Sequence, residues 1–294
     1  MSALAFAVLA LALTGPVPAL LARASWPLRA PRAAVVLWQA IALAAVLSAF
    51  SVGLSIVALT VRRPISALGQ PLWLAAVVVF ATTLLIGARL VVAAVAVAVG
   101  TRRRRARHRM VVDLVGACRH DDVRVLGVRE PMAYCLPGMR SRVVLSRGAL
   151  DVLTEPEVAA ILRHERAHLR ARHDLVLEAF IAVHTAFPKF VRSGSALAAV
   201  RLLVELLADD AAVRVAGPHP LARALVACAA APTPAGALAA GGPTTVIRVQ
   251  RLSGLPNSRL LGLAAYLAAA AILILPTIAV AVPWLTELHR LFWV

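Results

Sequence analysis

The chain has 294 residues, 61% of them hydrophobic and 15% charged, with a mean hydropathy of +0.84; soluble domains run about 45–50% apolar and about 25% charged. An ordinary soluble enzyme is therefore excluded, and so is a disordered chain, which is poor in apolar residues. The 31 Lys+Arg against 14 Asp+Glu, a formal +17, are nearly all arginine, Lys189 being the only lysine; in a membrane protein such an excess marks the loops that face the cytoplasm.

A helix needs about 20 mainly apolar residues to cross the hydrocarbon core, and four runs qualify: Ser2–Ala22, Ala33–Val61, Leu72–Val99 and Leu260–Val282. The first lacks the basic n-region of a signal peptide and is expected to be retained. Arg23, Arg29 and Arg32 follow the first span and the run Arg102–Arg109 follows the third, whereas the second loop has only Arg62 and Arg63. By the positive-inside rule the N-terminus and the tail Pro283–Val294 lie outside, and the long segment after Val99 lies inside. Arg89 interrupts the third span; Leu72–Ala88 is near the lower length limit for spanning, so Arg89 is expected at the cytoplasmic headgroups, with the helix continuing beyond it. Residues 1–100 thus hold three spans, 101–258 form a basic cytoplasmic domain, and 259–294 hold the fourth span and a short extracellular tail.

Within the domain, Val111–Cys118 reads as a short helix and Val123–Val128, Met132–Leu136 and Arg142–Leu145 as strands, the last two joined by the turn signal Pro137-Gly138. A small antiparallel sheet of three or so strands is expected. Thr154-Glu155-Pro156-Glu157 has capping-box spacing and predicts a helix over 155–171 with Val158, Ile161, Leu162 and Leu169 on its apolar side. Asp174 is expected to cap a helix over 175–187. Further helices are expected over 195–215, closed by Gly217-Pro218, and over 221–230. Pro232–Gly242 reads as a mobile Ala/Gly/Pro linker. Cys118, Cys135 and Cys228, odd in number and without a CxxC pair, build neither a disulfide framework nor a cysteine zinc site; they are expected as small buried hydrophobes.

His164-Glu165-Arg166-Ala167-His168 falls inside the capped helix. Residues four apart lie one above the other, so both imidazoles can project to one point and hold Zn²⁺, with Glu165 beside the attacking water. Catalytic zinc takes three protein ligands. Glu205, in the otherwise apolar Leu202–Leu207, is the best third candidate, because a carboxylate without a partner costs several kcal/mol to bury; an ion pair with Arg201 is the alternative. Asp209, one turn later, is placed to accept from a zinc-bound histidine, and Asp210 points toward solvent or an arginine.

These residues, set between a third and a fourth span, resemble the BlaR/MecR-type membrane zinc peptidases, the antirepressors of inducible β-lactam resistance, and are similar in the peptidase core to HtpX-type membrane proteases. The resemblance implies an α-helical membrane protein with four transmembrane helices and a cytoplasmic α+β gluzincin-like zinc peptidase domain between the third and fourth. It makes His164, His168 and Glu205 zinc ligands, Glu165 the general base and Asp209 a carboxylate behind the ligands, and it leaves Asp174 structural or behind a ligand. It also implies that Ala133, Tyr134 and Cys135 belong to a strand whose free edge could hold an extended substrate. The oxyanion donor stays open between Tyr134 and several arginines. BlaR/MecR sensors carry a penicillin-binding domain with a Ser-x-x-Lys motif after the fourth span. Here about a dozen residues follow Val282 and Lys189 has Ala186 three positions before it, so direct β-lactam sensing is not expected.

The implied substrate is a cytosolic winged-helix repressor of the BlaI/MecI type. A quality-control protease of membrane proteins is the alternative, and a non-catalytic membrane signalling or scaffolding protein a second. Membrane lipid is the other expected partner and a homodimer is compatible with this organisation. The run Arg102–Arg109 is accounted for by topology and anionic headgroups, so no direct nucleic-acid contact is expected.

Overall fold

The structure is a computed structural model describing residues 2–62, 70–120, 122–187, 194–229, 238–239, 244–254 and 257–293. Its helices are long and apolar at both ends of the chain. α1 (Ser2–Thr14) and α2 (Pro16–Arg23) divide the first predicted span at Gly15-Pro16, where proline cannot continue the ladder of N–H donors but is well suited to begin a helix. α3 (Pro31–Arg62) follows a single 3₁₀ turn over Trp26–Arg29. α4 (Gln70–Val115) is one helix of 46 residues, about 69 Å long, so the third span and the helix predicted over 111–118 are continuous through the arginine run. α11 (Arg259–Trp293) likewise carries the fourth span on through residues read as a tail. Four stretches, Ala3–Arg23, Pro31–Ile56, Gln70–Val115 and Arg259–Ile278, are long and apolar enough to cross a membrane.

Between α4 and α11 lie a sheet and the shorter helices. The sheet has the order β1-β2-β4-β3-β5, with β1 (Ala117–His120), β2 (Val123–Leu126), β3 (Ala133–Leu136), β4 (Arg142–Ser146) and β5 (Leu238–Ala239). It is mixed rather than antiparallel, because β2 and β4 run parallel. β1 covers residues read as the end of a helix. Alternation along β3 sends Ala133 and Cys135 to one face and Tyr134 and Leu136 to the other. The first face packs on Val158 and Ile161 of α6 (Glu155–Arg170) and on Leu221 and Leu225 of α9 (Pro218–Ala227). The second meets Val112 of α4. Leu162 and Leu169 also pack against the first core, partly buried. Between β4 and α6 lies the short α5 (Arg147–Val152).

α6 begins with the capping box expected: the Thr154 backbone N–H donates to Glu157 at 2.8 Å, and Pro156 sits in the first turn. α7 (His173–Ala186) starts earlier than predicted. Its cap position is held by Arg172 in the left-handed region at φ 51°, so Asp174 lies inside the first turn and is not the cap. α8 (Gly194–Ala216) presents Val200, Leu203, Val204 and Leu206 to Trp38 and Val35 of α3, joining domain to bundle. α10 (Thr245–Gly254) has no counterpart in the expectations. Arg89 is exposed and its Nε donates to the Ala186 carbonyl at 2.8 Å, at the end of α7. Cys135 and Cys228 are buried as expected, but Cys118 is exposed on β1. Lys189 and most of Pro232–Gly242 lie outside the described residues.

Candidate metal centre

The capping box sets the phase of α6, and with it which side chains turn inward. His164, Glu165 and His168 are all fully buried. The two Nε2 atoms lie 3.2 Å apart. α8 crosses them with Glu205, whose Oε2 is 3.4 Å from His164 Nε2 and whose Oε1 is 3.5 Å from His168 Nε2. Ligand bonds of about 2.0–2.1 Å at tetrahedral angles separate their donor atoms by about 3.3–3.4 Å. The three side chains therefore stand at the corners of such a site, and they alone form a metal-competent cluster among the described residues. Glu205 turns to the histidines, not to Arg201.

The donors are held from behind. His164 Nδ1 is 3.0 Å from the fully buried Asp209 carboxylate, one turn beyond Glu205 on α8. His168 Nδ1 is 3.0 Å from Nδ1 of His173, a residue no sequence argument singled out. With His168 Nε2 turned to the ligand point, its Nδ1–H donates to His173, whose own proton then sits on Nε2.

Arg248, on α10, is also buried here, and it too was missed. Its Nε and Nη2 donate to the two Asp209 oxygens at 2.8 and 2.6 Å, and Nη1 reaches Glu205 at 3.0 Å. A guanidinium matches a carboxylate bidentately, but nothing in the spacing of one arginine among so many marks it. Asp210 finds Arg251 at 2.7 Å, as expected of an acid on that face.

Electrostatics fit a dication. With both imidazoles neutral, as metal ligands are, the carboxylates of Glu165, Glu205 and Asp209 face the one guanidinium of Arg248, so the ligand set is short of balance by two positive charges; without a metal, a proton on His164 supplies one of them. Both Glu165 oxygens are buried with no nitrogen or oxygen partner among the described residues; burial pushes this carboxyl up to about 7, and the neighbouring Cys135 thiol offsets that only in part. Burial alone would lower His164, but the hydrogen-bonded Asp209 and Glu205 outweigh it and raise it to about 9. His168 is driven down to about 3 by burial and His173 to about 4 for the same reason. Asp209 resists burial because Arg248 and His164 hydrogen-bond it, holding it below the usual carboxylate range.

Residues 101–255 match the sequence profile of peptidase family M48, a span of more than half the chain that encloses every residue of this cluster. The chain belongs to peptidase family M48. It is thereby a metallopeptidase of a family that is generally zinc-dependent. No curated protein and no solved structure matches the chain.

Of the remaining predicted residues, Asp174 sits in a structural ion pair, one of its two expected roles, whereas the β3 residues are placed differently. Asp174 is buried away from the ligand point and accepts from Arg105 at 3.1 Å; Arg105 also donates to Glu178 at 2.7 Å, so the pair ties α4 to α7. Tyr134 is turned to the far face of the sheet, where its hydroxyl meets His108 at 2.8 Å, and it is no oxyanion donor. Nor is the β3 edge open: Tyr134 and Cys135 pair antiparallel with Ala239 and Leu238. Residues of the presumed linker thus take the position reserved for a substrate strand, because an exposed row of backbone donors and acceptors will pair with any extended segment within reach.

Proposed function

We propose that this M48 metallopeptidase is an integral membrane zinc endopeptidase of the gluzincin kind, with His164, His168 and Glu205 as zinc ligands and Glu165 as general base. The observation that carries this reading is the convergence of three donor side chains at tetrahedral spacing around one point, beside the fully buried carboxylate of Glu165. A zinc ion held there would polarise a scissile carbonyl and lower the pKa of a water toward about 7. The chain's own groups do the rest. Asp209 and His173 fix the two imidazoles with Nε2 toward the ligand point. Glu165, poised near neutrality by burial, takes a proton from the attacking water and returns it to the departing amine. An extended substrate lies along Ala133, Tyr134 and Cys135, which requires Leu238–Ala239 to yield their place.

We further assign the catalytic domain and the first loop to the cytoplasmic side, with both termini outside, on the distribution of arginines. Arg251 Nε donates to the Leu28 carbonyl at 2.6 Å and the Ser258 N–H to the Arg29 carbonyl at 2.8 Å, which supports one common side for loop and domain. On the resemblance of the motifs, the substrate is a winged-helix repressor of the BlaI/MecI type in a pathway related to β-lactam resistance. Membrane proteins are the rival substrate class, favoured by the direct packing of α8, which carries Glu205, on α3 of the bundle.

The test is a comparison of peptide fragments from cells producing the wild type and Glu165→Ala. Fragments of a winged-helix repressor seen only with intact Glu165 support the assignment. Fragments of membrane proteins would give it to quality control. Identical fragment sets would overturn the enzymatic reading.

A further inference from the structure

Where α3 and α11 begin, a cleft of about 760 Å³ opens between their first turns and the outer faces of α6 and α8. Arg29, Arg32, Arg163, Arg170, Arg214 and Arg259 line it, against a single acid, Asp210. That acid is already taken, since Arg251 grips its two oxygens at 2.7 and 3.1 Å. None of the six lining arginines forms an ion pair with a described carboxylate, and all are exposed. Elsewhere on this domain arginines pair wherever an acid is near: Arg105, Arg142, Arg166 and Arg223 all do. The N-termini of two long helices, at Pro31 and Arg259, add positive potential to the same place.

The lining changes character along the bundle. Above the arginines it consists of Val36, Gly262 and Tyr266, and Val36 and Tyr266 are 38% and 41% exposed. They belong to the first two turns of two candidate membrane spans. The cationic part therefore lies at headgroup depth, and the apolar part opens onto the surface that meets acyl chains. Basic pockets between membrane helices suit anionic lipid headgroups. We propose that this cleft is a binding site for an anionic glycerophospholipid, its phosphate held by the arginines of α3, α6, α8 and α11 and its chains laid against Val36 and Tyr266.

The full chain in mixed micelles of phosphatidylglycerol and phosphatidylcholine tests this by native mass spectrometry, with titration for affinity. Phosphatidylglycerol is expected to be retained and phosphatidylcholine lost. Each arginine removed should weaken retention about fivefold, so Arg29→Gln/Arg32→Gln/Arg259→Gln should lose about a hundredfold. Arg102→Gln/Arg103→Gln/Arg104→Gln, equal in charge but outside the cleft, should change it less than about twofold. The Arg→Lys versions of the first triple keep the charge and should keep most of the binding. If the glutamine triple fails to fold, Arg163→Gln/Arg214→Gln on the domain side gives the same reading. Equal retention of both lipids, or equal loss in both triples, would overturn the proposal. So would release of the lipid by millimolar inorganic phosphate, which marks a simple anion site, or by an acidic peptide, which marks a peptide groove.

Discussion

Replacing Arg248 with methionine keeps the side chain's reach and removes its charge. Arg248 is 1% exposed, gives Asp209 both of its short hydrogen bonds and reaches Glu205 at 3.0 Å. Asp209 is fully buried and would be left with His164 alone. Removing one partner of a buried ion pair costs about 3–5 kcal/mol, chiefly because the other charge remains unpaired in a poor solvent. For a chain of this size each kcal/mol lowers the melting temperature by about 2–4 °C, so a drop of about 6–20 °C is expected. Tryptophan fluorescence of the detergent-solubilised protein follows the transition. The double variant Arg248→Met/Asp209→Asn removes both charges and should melt above the single Arg248→Met. A single variant within about 2 °C of wild type, or a double variant that melts lower still, would refute the claim that Arg248 balances the buried acids.

Two further outcomes follow from the same geometry. His173→Phe removes the acceptor behind His168 and should weaken zinc binding about 10–100-fold, as read by competition with a chromophoric chelator; unchanged affinity would show that His173 only fills space. Leu238→Pro/Ala239→Pro should release the β3 edge, since proline cannot donate to a ladder. Casein hydrolysis should then show a lower KM with kcat little changed, and a raised KM would mean that β5 builds the substrate site instead of occupying it.

Strongly periodic and strongly apolar segments were legible from the chain alone. The four spans, the capped helix over 155–171 and the two histidines on one of its faces needed no tertiary information, because length, capping chemistry and i,i+4 spacing are local properties. Glu205 was legible through conflict: a carboxylate in an apolar helix requires a partner. Asp174 was misjudged because a helix start was assigned from residue type. The backbone instead turns two residues earlier, at Arg172, and Asp174 answers Arg105, 69 residues away. The parallel pairing of β2 with β4 was also hidden, since alternation of apolar residues does not specify strand direction.

What the sequence determined by itself was four helices apolar enough to cross a membrane and, between the third and fourth, a helix able to turn two histidines to one point, for these rest on hydropathy and short-range spacing. Only the tertiary structure decided how the cluster is balanced and surrounded. Arg248 is 39 residues from Asp209, Leu238 and Ala239 come from a segment without periodicity, and the arginines of the cationic cleft are spread from Arg29 to Arg259. Each of these roles depends on a long-range neighbour, and among 31 basic residues the local sequence around an arginine carries no mark of which acid, or which lipid, it will face.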